Sequence, residues 1–208
     1  MKKISLWMAS AILSLGIVSC GGGSGESTDG QDSVAVESPA VEETTVNVNL
    51  ETSVVGWKGT MMGMYSHSGT VKLTNGTVTM AGNAISGGSF TVDLSTIAPT
   101  DSNYSKDNTK EKLVGHLGSP DFFDVANTPL ATFEITGSDE SGNVMGNLTV
   151  RGKTNPETVT GVMFDEATGT ITGTLVFNRQ NYGVAYKSTM KDMVLSDDIE
   201  LKITLVKA

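Results

Sequence analysis

The chain has 208 residues, a formal net charge of −9, one cysteine and two histidines. This length allows one domain or two small ones, and the acidic balance without a basic stripe argues against a nucleic-acid partner. A single cysteine excludes an internal disulfide, a thiolate metal cluster and a CxxC redox site.

The N-terminal segment has the layout of a secretory signal peptide. Two lysines precede an apolar run over residues 4–18, which is too short to be a membrane span. The run Ile17-Val18-Ser19-Cys20 then resembles a bacterial lipoprotein box, in which the cysteine is acylated. The sequence therefore predicts a signal peptide over 1–19, a lipid anchor at Cys20, and a location in the cell envelope facing the periplasm or the cell exterior. The alternative is an ordinary secretory signal with a chance cysteine.

Residues 20–49 are predicted to be a lipidated N-terminus followed by a disordered tether. They are rich in Gly, Ser, Glu and Thr, and the stretch 21–49 contains six acidic residues and no basic one. Such a segment has too few apolar side chains to form a core. The folded domain is therefore expected over 50–208, where seventeen acidic and twelve basic residues leave a charge near −5.

The domain itself is predicted to be all-β. Short runs alternate polar and apolar residues between Gly, Asn and Asp turns, and Asn75-Gly76 is a strong signal for a two-residue hairpin. Because one face of each run is apolar and little helix is available to cover an open sheet, the sheet must close as a barrel or a sandwich of about eight antiparallel strands. The runs are 70–74, 77–80, 89–94, 131–136, 147–151, 170–175 and 198–205.

The longest interruption, from about Ile97 to Thr128, is predicted to be a crossover loop that contains a short helix. The helix is expected over Asn108–Leu117, with Asn108 as its cap and Glu111 completing a capping box. The adjacent aromatics Phe122 and Phe123 are expected to anchor this loop on the core.

Residues that could carry catalysis are few. His67 and His116 form no HExxH motif, so no metal site and no cofactor are predicted. Ser66 and Ser68 flank His67, but no nucleophile elbow is present, and residues adjacent on a strand point to opposite faces. His116 is interpreted either as a helix-end residue bonded to a loop or as a polar contact at the barrel mouth. We therefore predict a protein that is not an enzyme.

Two spaced motifs resemble a known family. Residues 115–125, GHLGSPDFFDV, and residues 146–154, GNLTVRGKT, are similar to the paired signature of the YceI-like, polyisoprenoid-binding family. The resemblance runs from about Trp57 to the C-terminus. It implies a secreted, lipocalin-like β-barrel that holds a long apolar molecule.

The resulting hypothesis is an extracytoplasmic, lipid-anchored binding protein that sequesters or transports an isoprenoid or a fatty amide or acid. Met61, Met62, Met64 and Met80 could adapt the cavity to a chain-like ligand or fill gaps in a core. The alternative function is a structural or adhesion β-module with a filled core and no ligand, and the oligomeric state stays open between a monomer and a homodimer. The residues expected to face the ligand are Val71, Leu73, Val78, Phe90, Val92, Phe133, Ile135, Leu148, Val150, Leu175, Phe177, Leu201 and Ile203.

Overall fold

The computed structural model describes residues 41–62, 65–186 and 194–208. Within these ranges the chain forms antiparallel strands, one α-helix and one 3-10 turn. The strands are β1 (Glu43–Asn47), β2 (Val54–Met62), β3 (Tyr65–Ala81), β4 (Ala84–Pro99), β5 (Leu130–Ser138), β6 (Val144–Val150), β7 (Lys153–Asp165), β8 (Thr170–Asn178) and β9 (Val194–Val206). The helix α1 spans Lys110–Gly118, and the 3-10 turn spans Arg179–Tyr182.

The sheet closes on itself. Its strand order is β1-β3-β2-β9-β8-β7-β6-β5-β4, and β3 also pairs with β4, so that β2 to β9 form an eight-stranded antiparallel barrel with β1 as an additional strand. Closure satisfies the hydrogen-bonding groups that an open edge would leave unpaired. The predicted lipocalin-like barrel with a short helix in its long crossover is confirmed.

The hairpin predicted at Asn75-Gly76 is wrong. Both residues lie inside β3, where Gly76 pairs with Phe90 of β4, and neither has the positive φ that a two-residue turn requires. The turn between β3 and β4 occurs farther along, at Gly82, which has a φ of 60°. Gly76 is needed for another reason, because a Cβ at this position would clash with Val48 Cγ2.

The boundary between tether and domain is also corrected. β1 lies within the segment that was predicted to be disordered, and it pairs with the second half of β3, with Val46 opposite Val78. The chain then continues through Val48, which is buried and bridges to Lys207. The backbone pairing with β3 and the apolar surface of these two valines order a segment whose composition otherwise indicated disorder. The signal peptide, Cys20 and most of the predicted tether lie outside the described residues.

The predicted helix is present, with a different cap. Thr109 rather than Asn108 is the N-cap, and its Oγ1 accepts a hydrogen bond from the Lys112 backbone N–H at 3.3 Å. Leu117 is buried on the inner face of the helix, and Phe122 is buried just beyond it. Among the described residues, no helix has the length and apolar character needed to cross a bilayer.

Asp101 fastens the start of the crossover to β3. Its carboxylate accepts hydrogen bonds from the backbone N–H groups of Ser68 at 3.0 Å and Asn103 at 2.9 Å, from the Tyr104 hydroxyl at 2.9 Å, and from His67 Nδ1 at 3.1 Å. Burial by itself would raise the pKa of Asp101, but these four donors outweigh it and lower the pKa to about 2. The carboxylate is therefore ionised at neutral pH.

The clash at Gly76 predicts that Gly76→Ala destabilises the domain by about 1–3 kcal/mol, because the added methyl group must displace Val48. The matched control is Gly115→Ala in α1, where nothing lies within 4 Å of the added Cβ. Alanine there should raise helix stability by roughly 0.5–1 kcal/mol. Urea unfolding of the purified proteins measures both effects, and an unchanged midpoint for Gly76→Ala would contradict the packing described here.

The lowered pKa of Asp101 predicts that acid weakens the attachment of the crossover to β3. A depressed carboxyl pKa contributes stability that is fully present above the unfolded value near 3.8 and is lost as the pH falls through about 2. Urea midpoints measured from pH 6 down to pH 2 should therefore fall less steeply below about pH 4 for Asp101→Asn than for the wild type. Parallel curves for the two proteins would show that Asp101 does not carry this stability.

Candidate functional site

The barrel encloses one large cavity in the described part of the chain. Its volume is about 580 Å³, within the roughly 300–1,000 Å³ that is usual for small-molecule sites. All thirteen residues that the sequence predicted to face the interior lie on its wall. Their placement inside the barrel is observed, whereas their contact with a ligand stays a prediction.

The alternation of side chains along each strand places most of these residues on the inner face. In β3 this alternation changes phase partway along the strand. In β6, every second residue is buried, as a half-buried strand requires: Val144, Gly146, Leu148 and Val150. In β3, Val71 and Leu73 face inward, and so does Val78, which has the opposite parity. A register shift opposite β4 between Leu73 and Asn75 accounts for this change of face.

The crossover supplies part of the wall that strand patterns could not predict. Leu113 and Leu117 of α1 and the ring of Phe122 line the cavity. Trp57 of β2 was also missed, although it alternates with Val55 on the same inward face, and this period-2 signal was available in the sequence. The helix therefore contributes to the cavity rather than merely connecting two strands.

Polar groups of the wall lie mainly where β3 begins and where the crossover passes. The His67 ring is stacked on Tyr104, with ring centroids 5.1 Å apart, and it packs edge-on against Tyr65 at the same distance. Burial and the adjacent Asp101 raise the pKa of Tyr104 to about 12. The sequence raised His67 only as a candidate metal ligand or as part of a nucleophile, and it gave no sign of the bond to Asp101, which lies 34 residues away.

His116 lies on the cavity wall at the C-terminal end of α1. Its ring packs edge-on against Phe122 at 4.8 Å and against Tyr186 at 4.6 Å between centroids. Its backbone carbonyl accepts hydrogen bonds from the N–H and the hydroxyl of Ser119. The bonds to Ser119 agree with the interpretation of His116 as a helix-end residue, whereas the polar contact at the barrel mouth stays a prediction.

Two arginines, Arg151 and Arg179, hold the crossover and the segment after β8 in place. Arg151 and Gly152 form the tight turn between β6 and β7, with φ values of 51° and 69°. The left-handed conformation of a non-glycine residue costs on the order of 1 kcal/mol. It lets the Arg151 guanidinium donate to the carbonyl oxygens of Phe122 and Gly183, which joins the crossover to the segment after β8.

Arg179 is the second of these arginines, and only 3 % of it is exposed. It donates to the carbonyls of Val184, Tyr186 and Ser196 and to the carboxylate of Asp197 at 2.9 Å. Burial lowers the pKa of Arg179, and the charge of Asp197 opposes that effect. The segment after β8 is thus tied to β9 through one side chain.

The described residues show neither a cluster of metal-ligating side chains nor a cavity lined mainly by methionines. Among the described residues, no group of three or more His, Cys, Asp or Glu side chains is placed to hold a metal ion. Met61 lines the cavity, but Met80 borders a separate crevice of about 180 Å³ beside β1. The side chain of Met62 and all of Met64 lie outside the described residues.

Comparison with known proteins identifies relatives by sequence. A UPF0312 protein of Staphylococcus aureus strain N315 is 35% identical over 106 residues, which cover 46% of this chain and 61% of that protein. A UPF0312 protein of Pseudomonas aeruginosa strain LESB58 is 36% identical over 80 residues, covering 35% of this chain and 42% of that protein. The matched regions therefore span less than two thirds of these relatives.

Solved structures share the fold at low sequence identity. BcnA of Burkholderia cenocepacia superposes with a TM-score of 0.54 at 21% identity, covering 77% of this chain and 99% of BcnA. A polyisoprenoid binding domain from Saccharophagus degradans, implicated in plant cell wall breakdown, gives a TM-score of 0.50 at 11% identity, with 77% and 96% coverage. Residues 46–207 match the model of the YceI-like domain. This match covers most of the chain and confirms the resemblance of its motifs, so the chain belongs to the YceI-like domain family.

Proposed function

We propose that this protein is a lipid-anchored, extracytoplasmic carrier that sequesters or transports a long apolar molecule in its barrel. The observation that carries the proposal is the cavity of about 580 Å³, whose wall is built from the apolar faces of all eight barrel strands and from α1. An elongated hydrocarbon chain matches such a wall. No catalytic constellation is part of this function.

Hydrophobic burial alone is sufficient for binding. Each methylene group that leaves water contributes about 0.8 kcal/mol. A chain of about twenty carbons would therefore contribute about 16 kcal/mol, which exceeds an association cost of roughly 4–15 kcal/mol. Few polar contacts are needed, in agreement with the small number of polar side chains on the wall.

The structural neighbour from Saccharophagus degradans supports the same class of ligand, because it is a polyisoprenoid binding domain. An isoprenoid is thus the first candidate, and a fatty acid or fatty amide is the second. Both are long, flexible and apolar over most of their length.

The competing function is a structural or adhesion module with a filled core. Packed protein interiors contain few voids larger than a water molecule. A volume of about 580 Å³ is much larger than such a void and favours the carrier. The two functions still differ in a direct observable, namely whether lipid accompanies the purified protein.

Ala131→Trp distinguishes the carrier from the filled module. Ala131 is buried, lines the cavity and shares its face with Phe133, so an indole at this position would occupy the space of an apolar chain. For a carrier we expect nearly unchanged thermal stability and a loss of extractable lipid, measured by mass spectrometry. For a filled core, overpacking would cost about 1–3 kcal/mol.

Glu134→Trp is the matched control, because Glu134 is exposed on the outer face of the same strand. This variant should retain both its lipid and its stability. A wild-type protein that never contains lipid, together with a strongly destabilised Ala131→Trp variant, would favour the structural module.

The anchor has a separate test. Cys20 follows the apolar segment and is the only cysteine in the chain, so Cys20→Ser should release the protein from membranes without unfolding it. Fractionation of cells followed by circular dichroism of the released protein measures both outcomes. If the variant sediments with membranes as fully as the wild type, Cys20 is not the anchor.

A further inference from the structure

His67 is a polar residue of the cavity wall whose neighbours fix the orientation of its ring. The ring stacks on Tyr104 with centroids 5.1 Å apart and packs edge-on against Tyr65 at the same distance. These three residues line the cavity, whereas Asp101, which bonds to the ring, does not. The bonded edge of the ring therefore faces behind the wall, and the remaining edge is the one that can face the cavity.

The bond to Asp101 determines which ring nitrogen carries the hydrogen. The Asp101 carboxylate is ionised and can only accept hydrogen bonds, so His67 Nδ1, 3.1 Å from Oδ1, carries the hydrogen and donates it. In the neutral ring Nε2 is then an acceptor. Because the carboxylate polarises the ring through the bond to Nδ1, it strengthens the acceptor at Nε2.

His67 Nε2 is open to a ligand. Among the described residues it has no hydrogen-bond partner, and the side chain is 20% exposed. No buried side-chain nitrogen or oxygen in the same part of the chain lacks a partner, so Nε2, which has none, is not buried. A molecule in the cavity can therefore reach this nitrogen.

An acceptor in front of an ionised carboxylate restricts the head groups that fit. A hydroxyl or a primary amide can donate a hydrogen bond to Nε2, whereas an ether or an ester has no hydrogen to donate. An ionised carboxylate has none either, and the charge of Asp101 behind the ring repels it. A cationic head would have to lose its hydration against a wall that is mainly apolar.

We propose that His67 is a head-group subsite that selects amphiphiles with an uncharged, hydrogen-donating head, a hydroxyl or a primary amide, over chains whose heads only accept hydrogen bonds. The subsite rests on the proposed function, because the barrel holds the chain of the same ligand. His67 contacts the head through Nε2, and Asp101 is a positioning residue that sets the tautomer. Among the proposed ligands, the subsite favours an isoprenoid alcohol or a fatty amide over a fatty acid.

The test compares hexadecanol with its isomer methyl pentadecyl ether, which lacks the hydroxyl hydrogen. Each is titrated into the delipidated full-length wild type and into His67→Phe at about pH 8.5, above the range in which histidine usually changes charge. Emission of Trp57, which lies on the wall, reports binding. The ratio of the two affinities, compared between the proteins, cancels the different hydration of the probes. One net hydrogen bond corresponds to about 2- to 10-fold in affinity, so His67→Phe should lower the ratio of alcohol to ether affinity by this factor.

A third probe and a second variant locate the effect. Hexadecanoate has the same chain length and an ionised head, so His67→Phe should not weaken its binding relative to the ether. His116→Phe replaces the other histidine of the wall and should keep the wild-type ratio of alcohol to ether affinity.

Nuclear magnetic resonance of the ring does not depend on whether His67→Phe folds. His116→Phe leaves His67 as the only histidine of the chain, so long-range proton–nitrogen spectra of this variant report its tautomer directly. We expect a protonated Nδ1 and a bare Nε2, whose resonance shifts more with hexadecanol than with the ether. A protonated Nε2, or equal shifts with both probes, would overturn the subsite.

The outcomes separate the subsite from the proposed function. If the probes bind but the ratio of alcohol to ether affinity is the same in the wild type and His67→Phe, the subsite is wrong and the apolar carrier stands. The same conclusion follows if hexadecanoate is the probe that His67→Phe weakens most. If no probe binds and the purified protein contains no lipid, both proposals are wrong. A ratio that falls in His67→Phe but not in His116→Phe, together with the shift of Nε2, would establish the subsite.

Discussion

The closure of the antiparallel sheet is the constraint on which the rest of the molecule depends. Each strand presents one apolar face, and the pairing of β3 with β4 completes a ring in which all of these faces point to the same interior. Eight strands produce a barrel whose interior is either just filled by side chains or able to hold one small ligand. Here the interior remains open, and a cavity of about 580 Å³ results.

An open interior changes how the domain is stabilised. A filled barrel gains dispersion contacts across its centre, whereas a cavity leaves its lining without partners on one side. The stability therefore depends on the packing of the buried side chains against their neighbours in the wall, on the ladder of backbone hydrogen bonds, and on the loops that close the ends. Asp101 and Arg151 fasten the crossover, and Arg151 and Arg179 fasten the segment after β8, by hydrogen bonds to backbone groups. A bound apolar chain would supply the missing contacts and couple ligand binding to stability.

The crossover contributes both apolar and polar side chains to the cavity wall. It brings the apolar side of α1 to the cavity, and it brings Asp101 and Tyr104 to β3, where they hold His67. Most of the polar side chains on the cavity wall, among them Tyr65, His67 and Tyr104, belong to the start of β3 or to the crossover.

The sequence by itself determined the properties that have a local period or motif. Alternation placed Val71, Phe133 and Leu175 on inward faces, and the paired motifs indicated the family, because side-chain direction along a strand depends only on the neighbouring residues. Contacts between distant segments were decided by the tertiary structure. Gly76 has the local signal of a turn, but it lies inside β3 and Val48 packs over it. β1 has the composition of a tether, but it pairs with β3. The open cavity and the bond between His67 and Asp101 likewise required closure of the barrel, which sets the interior volume and joins residues 34 positions apart.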